Sequence, residues 1–267
     1  MGETNLSEVI GSLKRDYLEN LLNQGKRLNG RGFLDYRDVK IEKGVFKHAA
    51  GSSVVSIGDT KVAVGIKADV GAPYPDTPNM GVMTTSVELV PLAAPDFESG
   101  PPNENSIELA RVVDRSIRES ECIDLASLVI EEGKLVRILF IDIHVLDHSG
   151  NLIDAANLAT IAALLDTKLP KLKVENGTVE TLDEFEDLKL RNLPVEVTIC
   201  KLGNHYLLDP DLDEESAMDC RLTIATDDDG DIRAMQKGLG GTLKSSELQK
   251  LYQIAKEQAQ KLRKLLK

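Results

Sequence analysis

The feature that most constrains the fold is a pair of apolar segments of different periodicity that follow one another directly. Residues 134–147, KLVRILFIDIHVLD, are nearly continuously apolar and rich in Val and Ile, which predicts a strand buried on both faces. The turn HSGN leads into LIDAANLATIAALLD, which is apolar over most of its circumference and predicts a buried helix.

The remaining sequence alternates between helical and strand patterns. Residues 6–22 carry apolar side chains at helical spacing, and after NGRG at 29–32 the period changes to two. Strands are predicted within 38–44, 51–71 and 82–92, and two hairpins around Gly203-Asn204 and Asp229-Gly230. A charged amphipathic helix is predicted at the C-terminal end, with Ser246 and Gln249 spaced as a capping box.

This order predicts the fold class and the division of the chain. Strands followed by a helix occur in two successive stretches, which predicts an α+β fold of two β-sheet/helix lobes. Residues 170–193 are acidic and show no clear period, so we interpret them as an irregular boundary between the lobes. The predicted division is an N-terminal helical extension at 1–25, a first lobe at 26–170 and a second lobe at 190–267.

Composition excludes several classes of protein. The net charge is -12, whereas a free-standing nucleic-acid binder is usually basic, so any nucleic acid must be bound through a local patch. Cys122, Cys200 and Cys220 form no C-x-x-C pair, which indicates neither a disulfide framework nor a zinc site. No apolar run is long enough for a membrane helix and the N-terminus is amphipathic, so we expect a cytoplasmic protein.

The stretch ELARVVDRSIRES, residues 108–120, gathers Arg111, Arg115 and Arg118 in an otherwise acidic protein. Steps of four and seven residues return to nearly the same side of a helix, so these side chains fall within about 60° of arc. The opposite side is apolar and is predicted to pack on the core: Leu109, Val112, Val113 and Ile117. Two interpretations remain open. The arginines are either a row of forked donors for phosphates or a surface salt-bridge lattice with Glu108 and Asp114.

The strongest acidic cluster is LLDPDLDEESAMD, residues 207–219. Carboxylates at this density can hold a divalent ion or act as acid and base, and the alternative is a solvated acidic loop. Other candidate motifs are incomplete. KGLGGTLKS at 237–245 has Leu243 where a phosphate loop needs its second glycine, and His144 and His148 are predicted on a strand and a turn. The sequence therefore predicts no metal site and no cofactor.

Four sequence segments follow one another along the chain and are informative in combination. They are RLNGRGFLDYRDVKIEKG, AAGSSVVSIGDTKVAVGIKADVG, NSIELARVVDRSIRES and ILFIDIHVLDHSGNLIDAANLATIAALL. Their combination resembles the RNase PH family of phosphorolytic 3′→5′ exoribonucleases and exosome ring subunits, over roughly residues 26–260. The N-terminal helix, DAANLA and LLDPDLDEES resemble the archaeal exosome subunit type that has lost catalysis. The resemblance implies an RNase PH-like fold.

The resemblance also implies a defective catalytic site. Active members grip phosphate with a Gly-Gly-Thr-Arg-like turn before the second central helix, whereas residues 149–153 here read SGNLI, with Leu152 in place of the arginine. Active members carry two aspartates around the acidic segment. Asp219 matches the second, but Glu215 stands at the first, where the extra methylene moves the carboxylate. Both departures imply that the chain is not itself an enzyme.

The partners implied by the resemblance follow from the arginine helix. In the family this helix leads the 3′ end of single-stranded RNA to the phosphorolytic site, so Arg111 and Arg115 are expected to contact the RNA backbone and Arg118 to support them. The expected protein partners are an active RNase PH-like exosome subunit, in heterodimers that form a hexameric ring, and RNA-binding cap subunits. Neither DNA nor a membrane is an expected partner. The alternative is a self-sufficient nuclease, metal-dependent or phosphorolytic, that uses the 209–219 carboxylates.

Overall fold

The helix predicted to be buried lies at the centre of the fold. The computed structural model describes residues 6–175 and 178–267 of the chain. LIDAANLATIAALLD forms helix α3, Leu152–Asp166, which is buried from Ile153 to Leu164. Because nearly every side of α3 is apolar, it has to be enclosed, and it packs on strands of two different sheets.

The elements alternate along the chain as follows. The helices are α1 (Leu6–Asn23), α2 (Glu104–Glu119), α3 (Leu152–Asp166), α4 (Leu212–Ala217) and α5 (Ser245–Leu265), and a 3₁₀ turn covers Leu125–Leu128. The strands are β1 (Val39–Lys43), β2 (Gly51–Ile57), β3 (Thr60–Gly71), β4 (Val82–Leu89), β5 (Val129–Glu131), β6 (Leu135–Asp147), β7 (Lys168–Glu175), β8 (Thr178–Asp187), β9 (Val195–Leu202), β10 (His205–Leu208), β11 (Cys220–Thr226) and β12 (Ile232–Gly238).

Two larger sheets organise these strands. The first has the order β1-β2-β3-β6-β4, with β5 paired to β6, and β4 runs parallel to β6. The second has the order β10-β9-β11-β12 and is antiparallel throughout, which confirms both predicted hairpins and the α+β class. Helix α2 packs on β4, β12 and α3, and α5 packs on β9 and β11. Within residues 6–175 and 178–267, no helix is both long and apolar enough to cross a membrane.

One hydrophobic core runs through both sheets. It extends from Ile141 on β6 through Leu158 on α3 to Ile199 on β9, and all three side chains are almost completely buried. The two strand-and-helix stretches therefore share a core that is built around α3. This arrangement places the two ends of α3, and the loops around them, between the two sheets.

The prediction that residues 134–147 are buried on both faces was wrong. Strand β6 is buried at Leu139, Ile141, Ile143 and Val145, and the alternating residues between them are only half-buried. The sequence is apolar at Ile138 and Phe140 on the second face as well, so the alternation was hidden. Strand β9 is buried at nearly every position, because it contacts both α3 and α5.

Two predictions at element boundaries were also wrong. Residues 170–193 are not irregular, since β7 and β8 form an antiparallel pair from Lys168↔Asp187 onward. The many charged residues obscured the two-residue period there, although Asn-Gly at 176–177 is a hairpin signal in the sequence. Helix α5 begins at Ser245, and Glu247 accepts a hydrogen bond from the backbone N–H of Lys244 at 2.8 Å, so Ser246 and Gln249 do not form the cap.

A buried ion pair fixes the segment after α1 to the second sheet. Arg27 is 4% exposed and donates to both carboxylate oxygens of Glu214, at 2.8 and 2.6 Å. It also donates to the backbone carbonyl oxygens of Gly32, Leu208 and Asp209. Such a pair is strongly destabilised when one partner is lost, because the other charge stays buried and unpaired.

We expect Arg27→Met to lower the free energy of unfolding by about 3–5 kcal/mol. The matched control is Asp213→Asn, because the ion pair of Asp213 with Lys14 is exposed and should contribute less than about 1 kcal/mol. Urea-induced unfolding followed by circular dichroism measures both losses. Equal losses in the two variants would contradict burial as the source of the difference.

Candidate functional site

The turn before α3 is held by side chains from distant parts of the chain. Arg37 donates to the carbonyl oxygens of Ser149 and Gly150 at 2.6 and 3.1 Å, and the Thr60 hydroxyl donates to Gly150 at 2.6 Å. Gly150 has a left-handed backbone, with φ of 90°. A Cβ there would lie 2.4 Å from the carbonyl oxygen of Pro210, so glycine allows the acidic segment to pack directly on the turn.

Glu215 caps the amino-terminal end of α3. Its Oε1 accepts a hydrogen bond from the backbone N–H of Asn151, the residue before the helix, at 2.8 Å. The amino-terminal end of a helix carries partial positive charge and unpaired N–H groups, which attract anions. Desolvation raises the pKa of Glu215 to about 7, against the lowering influence of this hydrogen bond and of Arg221 and Arg37. The chain thus supplies its own carboxyl group to a helix end that can bind anions.

A cavity of about 200 Å³ lies beside this turn. Its charged lining residues are Asp96, Glu108, Glu215 and Arg221, and its other lining residues include Phe97, His148, Asn151, Leu152 and Thr198. Arg221 already pairs with Glu108 at 2.7 Å. Burial lowers the pKa of His148, so the imidazole is neutral at pH 7. The cavity thus carries three carboxyl groups and one arginine that is already paired, which makes binding of phosphate there unfavourable.

The interpretation of residues 207–219 as a solvated acidic loop is wrong. Asp209 is completely buried, and Arg31 and Arg37 donate to it at 2.7 Å each. Asp219 pairs with Arg15 of α1 at 2.6 Å and accepts from the backbone N–H of Gly203, so of Asp219 and Glu215 only Glu215 binds the turn. Nowhere in the described ranges do three or more metal-ligating side chains come together as a metal site.

Helix α2 presents its arginines on one side, as predicted. The four apolar residues expected to face the core are all buried: Leu109, Val112, Val113 and Ile117. Arg111 and Arg118 are exposed and Arg115 is half-buried, and all three line one groove of about 220 Å³. Thr85, Asp114 and Glu119 complete its polar walls.

Arg118 is the most constrained of the three arginines. Its Nε and Nη2 donate to the two oxygens of Asp114, each at 3.0 Å, and Nη2 also donates to the carbonyl oxygen of Met83 at 3.1 Å. The Thr85 hydroxyl donates to the same carboxylate at 3.1 Å. The predicted salt-bridge lattice is therefore present at Arg118, although its side chain stays 43% exposed.

Arg111 and Arg115 keep most of their donors available. Arg111 makes no hydrogen bond or ion pair with any residue of the described ranges. Arg115 donates through Nη1 to the side-chain oxygen of Gln236 on β12 at 3.1 Å. Glu108, the second carboxylate expected in the lattice, pairs instead with Arg221 on β11. The salt-bridge interpretation thus accounts for one arginine of the row and leaves two free for an anionic ligand.

Sequence analysis missed two residues that organise the site. Arg37, which holds both the turn and Asp209, lies just before the strand predicted at 38–44, and sequence analysis gave it no role. Glu196 is 1% exposed behind α2, and both of its carboxyl oxygens lack a hydrogen-bond partner in the described part of the chain. Its sequence signal is a charged residue in the run PVEVTIC, which otherwise reads as a buried strand.

Comparison with known proteins places the chain in a family. Residues 35–170 match domain 1 of the 3′ exoribonuclease (RNase PH) family, and residues 192–258 match domain 2. The exosome complex component Rrp42 of Pyrococcus abyssi is 53% identical over 262 residues, which are 97% of this chain and 96% of that protein. The corresponding component of Thermococcus kodakarensis is 55% identical over 263 residues, 97% of each chain.

Solved structures agree with this placement. A chain of the Archaeoglobus fulgidus exosome with RNA bound to the active site superposes with a TM-score of 0.89 at 49% identity, covering 97% of this chain and all of that one. A chain of an archaeal exosome core gives 0.85 at 46% identity, covering 97% and 98%. The RNase PH-like fold is confirmed, and the chain belongs to the RNase PH family of 3′ exoribonucleases.

Proposed function

We propose that the chain is a non-catalytic subunit of an exosome ring, which guides single-stranded RNA to a 3′→5′ phosphorolytic site on an active RNase PH-like partner. The observation that carries the proposal is the Glu215 carboxyl group at the amino-terminal end of α3. In the same turn, Leu152 offers an aliphatic side chain instead of a guanidinium. The relatives described above are exosome components, and one related structure holds RNA in its active site, which supports an assignment to this complex.

Phosphorolysis needs a bound phosphate as its nucleophile. A phosphate oxygen attacks the terminal phosphodiester, the 3′ oxygen of the preceding nucleotide leaves, and a nucleoside diphosphate is released. In this chain the cavity beside the turn carries three carboxyl groups, and its one arginine is paired with Glu108. A dianionic phosphate would be repelled there and would also have to displace Glu215 from Asn151. The chain therefore lacks the nucleophile that the reaction requires.

The groove along α2 suits the backbone of single-stranded RNA. Arg111 and Arg115 offer forked donors that match phosphate oxygens, and Arg118 supports them from its pair with Asp114. Contacts of this kind position a strand without reading its sequence. Because the protein as a whole is acidic, with a net charge of -12, the RNA backbone is attracted to this groove and repelled elsewhere.

The proposed assembly consists of heterodimers with the active subunit, closed into a hexameric ring that also binds RNA-binding cap subunits in the cytoplasm. Strand β12 supports such pairing. It lies at the edge of its sheet and exposes Ile232 and Met235, which are 45% and 40% accessible. An exposed edge strand with apolar side chains invites pairing with another chain.

The alternative, a self-sufficient nuclease that uses the carboxylates of 209–219, has less support. Asp209 is held by two arginines, Glu214 by Arg27 and Asp219 by Arg15. Asp211 caps α4 by accepting from the backbone N–H of Glu214 at 3.0 Å. Carboxylates engaged in this way are not free to ligate a divalent ion or to exchange protons with a substrate.

The purified chain alone should release no nucleoside diphosphate from labelled oligo(A) and inorganic phosphate, whichever divalent ion is added. When the chain is assembled with an active RNase PH-like subunit into a complex with the mass of three heterodimers, that complex should release nucleoside diphosphate from the same substrates. Thin-layer chromatography of the products and native mass measurement test this. Phosphate-dependent shortening by the single chain would overturn the proposal, and metal-dependent shortening without phosphate would establish the alternative.

Glu215→Gln should change how stability depends on pH. The folded chain keeps the Glu215 proton up to a pKa of about 7, whereas the unfolded chain releases it near 4.5, so the wild type loses stability between these values. The variant has no proton to release at this position. Its free energy of unfolding should therefore rise relative to that of the wild type by up to about 3 kcal/mol between pH 4.5 and 7.5, at about 1.4 kcal/mol per pKa unit.

Urea unfolding at four pH values across this range measures the effect. Glu247→Gln is the control, because the hydrogen bond from Lys244 lowers the pKa of Glu247 and places its transition below pH 4.5. The free energy of unfolding of the Glu247 variant should differ from that of the wild type by a constant amount over the whole pH range. A constant difference for the Glu215 variant as well would show that the Glu215 carboxyl group is ionised in the folded chain.

Changing both Arg111 and Arg115 to Ala should weaken RNA binding by the assembled complex and slow phosphorolysis, while folding and assembly stay intact. Each lost phosphate contact should reduce the salt slope of binding by about 0.7. Oligo(A) and a mixed-sequence RNA should lose affinity alike, and changing both residues to Lys should restore only part of it. The measurement is filter binding over a salt series, with Arg191→Ala as an arginine control outside the groove. Unchanged affinity and slope would leave the arginine row as a salt-bridge surface.

A further inference from the structure

Arg115 lines two spaces, a groove and a small cavity. The groove is the one that it lines with Arg111 and Arg118. The small cavity has a volume of about 10 Å³, roughly the space that one water molecule needs. It is lined by Val112, Arg115, Glu196, Thr223, Ala225, Ala234, Met235 and Gln236. The arginine proposed to bind RNA therefore shares this cavity with the buried carboxyl group of Glu196.

Glu196 is the unusual member of that buried site. It is 1% exposed, and neither carboxyl oxygen has a hydrogen-bond partner in the described part of the chain, although its backbone N–H donates to Asn157 at 3.0 Å. Buried polar groups in folded proteins are almost always hydrogen-bonded, so a buried carboxyl group of this kind is exceptional. Burial and, after it, the nearby charge of Asp154 on α3 raise the pKa of Glu196 well above its usual range, while the Ser116 hydroxyl and the charge of Arg115 lower it. The surroundings of Glu196 thus favour its protonated form.

Gln236 holds Arg115 from the other side of the cavity. Its side-chain oxygen accepts from Nη1 of Arg115 at 3.1 Å, and its partner in the β11–β12 register is Thr223, which lines the same cavity. Among the three groove arginines, Arg118 has a charged partner in Asp114, and Arg111 has none. Arg115 differs from both, because its hydrogen-bond partner is the uncharged side chain of Gln236.

We propose that Glu196 and Gln236 are positioning residues for Arg115, which hold its guanidinium at the wall of the groove. Gln236 acts by the direct hydrogen bond, and Glu196 acts through the one-water space that it lines together with Arg115. A protonated carboxyl group at this place orients the guanidinium without competing with an RNA phosphate for its charge, as a carboxylate would. The surroundings of Glu196 favour that protonated form. This inference rests on the proposed RNA contact of Arg115.

The test is a double-mutant cycle in the complex assembled with an active RNase PH-like subunit. Glu196→Leu should weaken binding of oligo(A) between about twofold and tenfold and lower the salt slope by about 0.7, as expected for one lost phosphate contact. In a background that already carries Arg115→Ala, the same change should have almost no further effect. Glu196→Gln, which keeps an uncharged polar group of the same shape, should bind within about twofold of the wild type.

If Glu196→Leu fails to fold, Gln236→Leu can take its place in the double-mutant cycle, because Gln236 is only half-buried. It should give the same loss and the same dependence on Arg115. A loss that persists in full in the Arg115→Ala background would overturn the inference, since the residue would then act on folding in general. The inference would also be overturned if Glu196→Leu and Gln236→Leu both left RNA binding unchanged in a complex whose RNA binding requires Arg115. If Arg115→Ala itself has no effect, the proposed RNA contact is wrong and the inference falls with it.

Discussion

A single buried carboxylate, Asp209, is the interaction on which the arrangement of the site depends. It accepts hydrogen bonds from the side chains of Arg31 and Arg37 at 2.7 Å each and from the Asn151 amide at 3.0 Å. Burial alone would raise its pKa, but the hydrogen bonds and charge of Arg37 outweigh it and lower the pKa, so the group is ionised at neutral pH. Through this one residue, the loop after α1, the acidic segment and the turn before α3 are fixed to each other.

This network also decides which charges remain available to a ligand. Arg27, Arg31 and Arg37 each donate to a buried carboxylate, and Arg37 also donates to carbonyl oxygens of the turn. A phosphate site needs a cation whose donors are free, and none of these three can serve. The free donors lie instead along α2, on Arg111 and Arg115. The fold thus separates a neutralised region beside α3 from a cationic groove, in a chain whose total charge gives no hint of either.

Sequence analysis reached the parts of this arrangement that are local. Helix α2, its apolar side and its arginine row depend on spacing within sixteen residues, and all were predictable. The ion pairs of Asp209 and Glu214 join residues more than 170 positions apart, so the acidic segment could not be distinguished from a solvated loop. Burial of β6 was misjudged for a related reason, because composition does not reveal that helices cover only one face. Glu196 was missed although a lone acid in an apolar strand is a visible signal.

Glu215 distinguishes the amino-terminal end of α3 from a helix end that binds phosphate. A helix end that binds phosphate is stabilised only while the anion is bound, whereas here a carboxyl group of the same chain satisfies the N–H of Asn151 permanently. Because Glu215 belongs to the same fold, it binds this N–H without the loss of translational and rotational freedom that a free phosphate would incur. An arginine placed at Leu152 would therefore leave the helix end occupied. The turn is held by Arg37, Thr60 and Glu215, so its shape does not depend on a bound ligand.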